Sequence, residues 1–156
     1  MKKIIILLLI PLFMVGTLPH EIVSAANRTH VDKLKQTKRC NHCNLSGARL
    51  NNVRLIRANL RGANLSRARL KGAKLRSADL RGANLNQADL RRANLRSAKI
   101  SRANLSNADL RGANLRGANL SGAILRGARF KGANLAGAKI KGARGGDFKG
   151  AKGVRK

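Results

Sequence analysis

Cys40, His42 and Cys43 are the side chains in this sequence whose types and close spacing could bind a metal ion. Thiolates and imidazole are zinc ligands, but a structural zinc site takes four of them, and no second Cys or His pair follows downstream. The cluster therefore predicts no metal site. For Cys40 and Cys43 two states stay open: a pair of buried thiols, which we favour, and a disulfide.

Serines and aspartates recur along the chain without the partners that catalysis needs. A serine nucleophile needs a base within hydrogen-bond reach, and no histidine follows His42. The aspartates stand among cations, where we interpret each as a turn residue or as half of a surface ion pair. We therefore expect no enzyme activity, no cofactor and no small-molecule substrate. The residues concerned are Ser66, Ser106, Ser121, Asp79, Asp89 and Asp109.

The chain is strongly basic and almost free of aromatic residues. Its 156 residues include 34 Lys and Arg against 6 Asp and Glu, a formal charge of +28, and they include no Trp, no Tyr and three Phe. So few carboxylates argue against paired-carboxylate hydrolysis and hard-cation sites. A core built around aromatic side chains is excluded, so any core must consist of small aliphatic residues.

The N-terminal segment has the pattern of a secretory signal. Two lysines precede an apolar run over residues 4–15, and small residues end the segment. The run is interrupted by Pro11 and is shorter than the roughly 20 residues that span a bilayer. We therefore predict a signal peptide over 1–26, cleavage near Ala25 or Ala26, and an exported protein, either periplasmic or secreted.

A period of five residues governs the chain from Cys43 onward. Of the twenty unit centres from Leu45 to Ile140, seventeen are Leu, and eighteen of the residues two places earlier are Ala. On an α-helix this step spreads the leucines around the whole surface, and on a straight strand it sends them alternately to opposite faces. The pattern fits only if the chain turns a corner after each unit. Glycine, which tolerates special backbone angles, occupies eleven of the positions two after a centre.

Units such as Ala-Asn-Leu-Arg-Gly at 58–62 resemble the A(D/N)LXX unit of the pentapeptide-repeat protein family, and nearly unbroken copies cover residues 43–142. The resemblance implies an all-β solenoid, a right-handed quadrilateral parallel β-helix with four units per coil. Twenty units then make about five coils around ladders of Ala and Leu. The same register turns Cys40 and Cys43 inward and His42 outward, which separates the three metal-binding types.

Residues 27–42 precede the repeats and are predicted to form an N-terminal cap segment. Thr29 begins a capping box, which predicts a short capping helix that turns Val31 and Leu34 to one face. This helix is expected to lie over the first coil.

Residues 143–156 follow the repeats and are predicted to form a C-terminal cap and a basic tail. Phe148 restarts the pattern out of phase, and we expect it to cover the last coil. Residues 149–156 are rich in Gly and Lys and predict a loose tail.

Residues twenty apart stack on one face of such a coil, so the charges can be sorted by face. The face centred on Leu45, which we call the neutral face, carries rows of Asn and Ser and a net charge of about +2. The other three carry about +6, +6 and +5. Two rows of cations are the predicted polyanion-binding residues. They are the first ladder, Lys71, Arg91, Arg111 and Lys131, and the second ladder, Arg76, Arg96 and Arg116.

Stacked cations repel one another, and a polyanion relieves that cost through charge neutralisation and counterion release. We therefore predict a binding or scaffold protein that engages polyanions: anionic lipid, lipopolysaccharide, teichoic acid or nucleic-acid phosphates. The alternative is a structural or protein-interaction module that works through the neutral face. Family members that mimic duplex DNA and bind topoisomerases must be negative, so the resemblance does not carry that function to this positive chain.

Overall fold

In the computed structural model, which describes residues 25–154, a short helix leads into a column of stacked coils. Helix α1 spans Ala25–Thr37. From Arg39 onward the sides of the coils meet as isolated parallel β-bridges, each one residue long, and up to Arg144 every bridge joins residues twenty positions apart. The column therefore has the register that the five-residue period predicts.

Each side of a coil ends in a tight turn whose backbone conformation explains the glycines. The carbonyl of the central residue accepts a hydrogen bond from the N–H three residues on, as Leu60 does from Ala63 at 3.1 Å. The residue two after the centre has a positive φ, 63° at Gly62 and 57° at Arg67, which is the pattern of a type II turn. Every such position between 42 and 142 has a positive φ, so the predicted corners are confirmed.

Backbone hydrogen bonds hold each coil to the next along the column. Asn64 donates its N–H to the carbonyl of Cys43 on the coil before at 2.9 Å, and Leu65 donates to Asn84 on the coil after at 2.7 Å. Because four five-residue units separate paired residues, each coil has four sides. The quadrilateral plan implied by the resemblance is confirmed.

The interior of the column consists of leucine and alanine ladders. The central residues from Leu55 to Leu125 are all 0% exposed, and the alanines two places earlier, from Ala58 to Ala133, are at most 3% exposed. Phe130 fits into the same column, and Phe148 covers it with its ring centroid 5.0 Å away, as predicted. One coil cannot bury these side chains alone, so stability comes from the stacking of neighbours.

Helix α1 lies against the first coil, but it begins earlier than the sequence predicts. Thr29 lies inside helix α1 rather than at its start, so the predicted capping box is wrong. Leu34 is fully buried and Val31 packs against the core, which confirms the inward face. The predicted signal peptide, apart from its last two residues, lies outside the residues that the structure describes. No helix in the described part of the chain is long and apolar enough to cross a membrane.

Pairing extends past both predicted boundaries of the repeats, 43–142. Bridges begin at Arg39 and continue to Lys152, so the loose tail predicted over 149–156 is wrong as far as Lys152. The last two bridges join residues eighteen rather than twenty positions apart. The side that contains Gly145 is shorter by two residues, and this shortening returns the chain to register.

We expect Leu95→Ala to lower the free energy of unfolding by about 3–5 kcal/mol, because neighbours held in rigid coils cannot collapse into the cavity. The matched control is Arg96→Ala, the next residue along and outward-facing, which should change it by less than about 0.5 kcal/mol. Urea denaturation followed by circular dichroism measures both. Equal losses in the two variants contradict a core built on this ladder.

Candidate polyanion-binding surface

An Asx turn fixes the backbone around many of the outward cations. The residue before each centre is usually Asn or Asp, and its side-chain oxygen accepts a hydrogen bond from the N–H two residues later. Asn94 accepts from Arg96 at 3.2 Å, and Asn114 accepts from Arg116 at 3.1 Å. This turn explains why the unit prefers Asn and Asp, and it starts the arginine side chain from the same place on successive coils.

The first ladder is partly neutralised by aspartates. Arg91 donates to Asp89 twice, from Nε to Oδ1 at 2.8 Å and from Nη2 to Oδ2 at 2.7 Å. Arg111 donates to Asp109 in the same manner, at 2.9 and 2.7 Å. Each aspartate also accepts the backbone N–H of its arginine, so the predicted turn and ion-pair roles are both present. The two lysines of this ladder form no ion pair within the described part of the chain.

The ion pairs shift the titration of the aspartates. In Asp79 and Asp89 the hydrogen bond from the arginine two residues on is the largest influence, and it lowers the pKa of each carboxyl below its usual value. Burial is the largest single influence on Asp109 and raises its pKa, but the hydrogen bonds and charge of Arg111 and the charge of Arg129 outweigh it. The pKa of all three is lowered, so the pairs are fully formed at neutral pH.

A shallow groove of about 390 Å³ lies against the first ladder. Arg92 lines it together with three members of the ladder. The sequence prediction omits Arg92, which occupies a corner position where glycine is common in these repeats and has a φ of 56°. A cation at a glycine position is the signal that could have identified it. The lining residues are Lys71, Arg91, Arg92, Arg111 and Gly112.

The second ladder, Arg76, Arg96 and Arg116, keeps its full charge. All three residues are exposed, and none forms an ion pair with any carboxylate among residues 25–154. Their face carries no Asp or Glu at all. Adjacent rungs of a parallel sheet are about 4.8 Å apart, so this row is a line of unpaired cations at short spacing.

The neutral face presents hydrogen-bonding groups instead of charge. Asn84 donates from Nδ2 to Oδ1 of Asn64 at 3.4 Å, and Arg67 is held by Gln87 at 3.0 Å. A groove of about 540 Å³ runs along this face. Its lining residues are Ser46, Gly47, Asn64, Ser66, Arg67, Asn84, Asn86 and Asn104.

Cys40 and Cys43 form a disulfide, so the favoured reading of two buried thiols is wrong. The corner turn between them, closed by the Cys43 N–H on the Cys40 carbonyl at 3.3 Å, brings their Cα atoms to 5.2 Å, within the range that a disulfide spans. His42 points outward as predicted. Among the described residues no group of three or more His, Cys, Asp or Glu could hold a metal ion.

We expect the three aspartate–arginine pairs to make stability depend on pH. Because the folded-state pKa of each aspartate lies below its unfolded value, the pairs stabilise the fold above about pH 4, and this contribution is lost as pH falls through the folded-state pKa. Replacing Asp79, Asp89 and Asp109 by Asn removes the charge but keeps the oxygen that accepts the backbone N–H. The difference in Tm between the native chain and this variant should therefore shrink between about pH 7 and about pH 2. A difference that stays constant over that range contradicts the assigned role.

The chain is similar to solved structures that share this architecture. Rfr23, a pentapeptide repeat protein from the cyanobacterium Cyanothece 51142, is 32% identical over 80% of this chain and 97% of its own, with a TM-score of 0.73. A pentapeptide repeat protein from the Arabidopsis thaliana thylakoid lumen, AT2G44920, is 38% identical over 65% of this chain, with a TM-score of 0.49. QnrB1, a plasmid-mediated fluoroquinolone resistance protein, is 24% identical over 72% of this chain, with a TM-score of 0.54, a likeness of fold alone. This chain spans 64% of the length of each of the last two.

No curated protein matches the chain. The family described as pentapeptide repeats (8 copies) matches residues 39–76, 73–112 and 113–144. Proteins of this family fold as right-handed quadrilateral β-helices, which is the plan of the column described above. From its repeat, its four-sided coils and these matches, the chain belongs to the pentapeptide repeat family.

Proposed function

We propose that this protein is an exported, non-enzymatic binding or scaffold protein that holds polyanions electrostatically. Family members are generally structural or interaction modules, which supports the non-enzymatic part of the proposal. The observation that carries the polyanion part is the second ladder, an exposed row of three arginines without an acidic partner on its face. A row of cations with fewer neighbouring carboxylates gains more free energy when it binds a polyanion.

The gain has a physical source in the spacing of the charges. The backbone register holds like charges on adjacent rungs, about 4.8 Å apart, and they cannot separate without unpairing the coils. A polyanion laid along the column neutralises several of these charges at once, and the counterions released from it add favourable entropy. The first ladder contributes less per residue, because two of its four members already bind aspartates.

The aromatic residues support charge-based rather than base-specific binding. Phe130 is buried and Phe148 packs against it, so neither offers an open stacking platform for bases. Contacts from arginine and lysine to phosphate or sulfate carry no sequence information. We therefore propose a partner class defined by dense negative charge, without preference for a nucleotide sequence.

Two features support export and thus an envelope polyanion. The segment over 1–26 has the composition of a signal peptide. The bond between Cys40 and Cys43 is of a kind that persists in oxidising compartments outside the cytosol. In such a compartment anionic lipids, lipopolysaccharide or teichoic acids are met before nucleic acid.

The groove on the neutral face favours a second function, an interaction with a protein partner. Its Asn and Ser side chains offer hydrogen bonds at regular spacing over about 540 Å³. A partner that binds there should be lost when bulky residues replace Ser66 and Ser106, and it should be retained when the cation ladders are neutralised.

A row variant and a dispersed variant test the proposed polyanion site at equal change in charge. The row variant should lose at least about threefold more affinity for heparin, and its slope of log K against log salt should fall by about 2–3. Affinity is measured by titration at several salt concentrations. The row variant carries Arg76→Gln, Arg96→Gln and Arg116→Gln; the dispersed variant carries Arg67→Gln, Arg102→Gln and Lys139→Gln. Equal losses contradict the ladder as the site, and no binding of the native chain at about 150 mM salt contradicts the function.

Removing the aspartates of the first ladder should strengthen binding. Asp89→Asn with Asp109→Asn keeps the Asx turn and releases Arg91 and Arg111, so heparin should elute at higher salt than from the native chain. Asp32→Asn with Asp79→Asn adds the same charge away from the face of the first ladder and serves as the control. An equal shift in both double variants shows that only total charge matters and contradicts a role for the first ladder.

A further inference from the structure

Ile124 occupies a position at which the four preceding coils of the neutral face carry asparagine. It is 42% exposed, and it is the one large hydrophobic side chain that is exposed among residues 28–154. Its backbone pairs with Asn104 on the coil before and with Arg144 on the coil after. The equivalent residues on the preceding coils are Asn44, Asn64, Asn84 and Asn104.

Ile124 cannot accept the hydrogen bond that the equivalent asparagines accept from the N–H two residues later. Asn104 accepts the N–H of Ser106 at 3.0 Å, as Asn84 accepts that of Asn86 at 3.1 Å. Ile124 has no side-chain oxygen, and the N–H of Arg126 has no such acceptor within the described part of the chain. The position thus departs from the asparagines of its own row in two ways, an exposed apolar surface and a lost turn contact. Such departures from local consistency are expected at functional sites.

A cleft of about 260 Å³ lies beside this isoleucine, lined by Ile124, Arg126, Arg144 and Gly145. The Leu125 N–H donates to the carbonyl of Arg144 at 2.7 Å, which holds the two walls of the cleft on adjacent rungs. Gly145 is needed there, because its φ is +71° and a Cβ at this position would lie 3.2 Å from the Cα of Arg126. Neither arginine forms an ion pair with a carboxylate among residues 25–154.

We propose that this cleft binds the headgroup region of an anionic phospholipid, an inference that rests on the proposed polyanion function and names the partner class. The two guanidinium groups pair with the phosphate, and Ile124 contacts the apolar carbons next to it. A water-soluble sulfated glycan has no apolar chain to place against an exposed isoleucine. A lipid surface offers both chemistries at adjacent depths.

The basic faces and the cleft beside Ile124 contribute differently to the proposed lipid binding. One isoleucine buries too little apolar area to anchor a protein to a bilayer. The basic faces attract the chain to any anionic surface, and the cleft adds a contact that only a lipid supplies. Binding to lipid should therefore depend on Ile124, whereas binding to heparin should not.

Ile124→Asn tests the inference, because it restores the row of asparagines and the turn contact and so should fold at least as stably as the native chain. We expect it to lower affinity for phosphatidylglycerol vesicles roughly three- to tenfold and to leave heparin affinity unchanged. Co-sedimentation with vesicles measures the first, and titration measures the second. All variants are isolated from the same cells with the same N-terminus, verified by mass, so that residues 4–15 contribute equally to each.

Two matched controls locate the effect. The exchange Asn44→Ile with Ile124→Asn keeps the composition but moves the isoleucine away from both arginines, and it should not restore vesicle binding. Arg126→Gln with Arg144→Gln should weaken binding to phosphatidylglycerol more than Arg67→Gln with Arg102→Gln, which removes equal charge elsewhere. Restored binding in the exchange variant, or equal losses in the two arginine pairs, overturns the cleft as the site.

The outcomes separate this inference from the function on which it rests. If Ile124→Asn binds phosphatidylglycerol vesicles as tightly as the native chain and both bind heparin, the lipid cleft is wrong and the polyanion function stands. If the native chain binds neither heparin nor phosphatidylglycerol vesicles at physiological salt, the polyanion function itself is wrong. Phosphatidylcholine carries no net charge. If the native chain binds phosphatidylcholine vesicles as tightly as phosphatidylglycerol vesicles, the two arginines have no role in binding and the inference is wrong.

Discussion

The hydrogen bond that closes each corner is the interaction on which the rest of the structure depends. It joins the carbonyl of a central residue to the N–H three positions on, and it requires a positive φ at the residue two after the centre. Repeated every five residues, it makes four-sided coils whose backbones pair twenty positions apart. That single register places each central residue, usually a leucine, on the central residue of the next coil, and every outward residue on its equivalent. Each row of side chains on a face therefore consists of residues that stand twenty positions apart in the sequence.

This register also creates the electrostatic cost of the surface. The leucine ladder needs the coils in contact, so cations at equivalent positions cannot move apart along the column axis. Where an aspartate precedes the centre, as at Asp89 and Asp109, the same Asx turn that shapes the backbone also presents a carboxylate to the following arginine. Where asparagine precedes it, as before Arg96 and Arg116, the turn forms without a counter-charge. The choice of Asp or Asn before the centre therefore decides whether the arginine that follows is neutralised or keeps its positive charge.

The five-residue period makes the structure of the repeats predictable, but it does not predict how the column ends. Inward and outward positions and the corners follow from local repetition. The return to register after Gly145 does not, because it depends on a side two residues shorter that still lets Lys152 reach Asn134 on the coil before. The capping pattern at Thr29 does not begin the helix, because the alanines before it are strong helix formers and are already part of the helix.

The stacking of the two ladders is predictable from the sequence, but the ion pairs of their members are not. The sequence treats the cations of both ladders alike, since which carboxylate reaches which guanidinium depends on side-chain geometry. The sequence assigns Arg92 to the same face but not to the first ladder, because Arg92 stands at a corner and not in the row directly after the centres. For Cys40 and Cys43 the sequence favours two thiols, but the corner that the repeat requires is itself the tight turn that a disulfide between them needs.

The neutral face answers the question of whether the fold itself demands so much positive charge. It has the same corners, the same Asx turns and the same buried ladders as the other faces, yet most of its outward positions are Asn and Ser. The fold therefore accepts uncharged residues at the positions where the other faces carry arginine. Solubility would be served by either sign, and a mixture of acids and bases would avoid repulsion between rungs. The fold therefore does not require the arginines of the second ladder, and this is the reason to seek their role in the proposed binding of a polyanion.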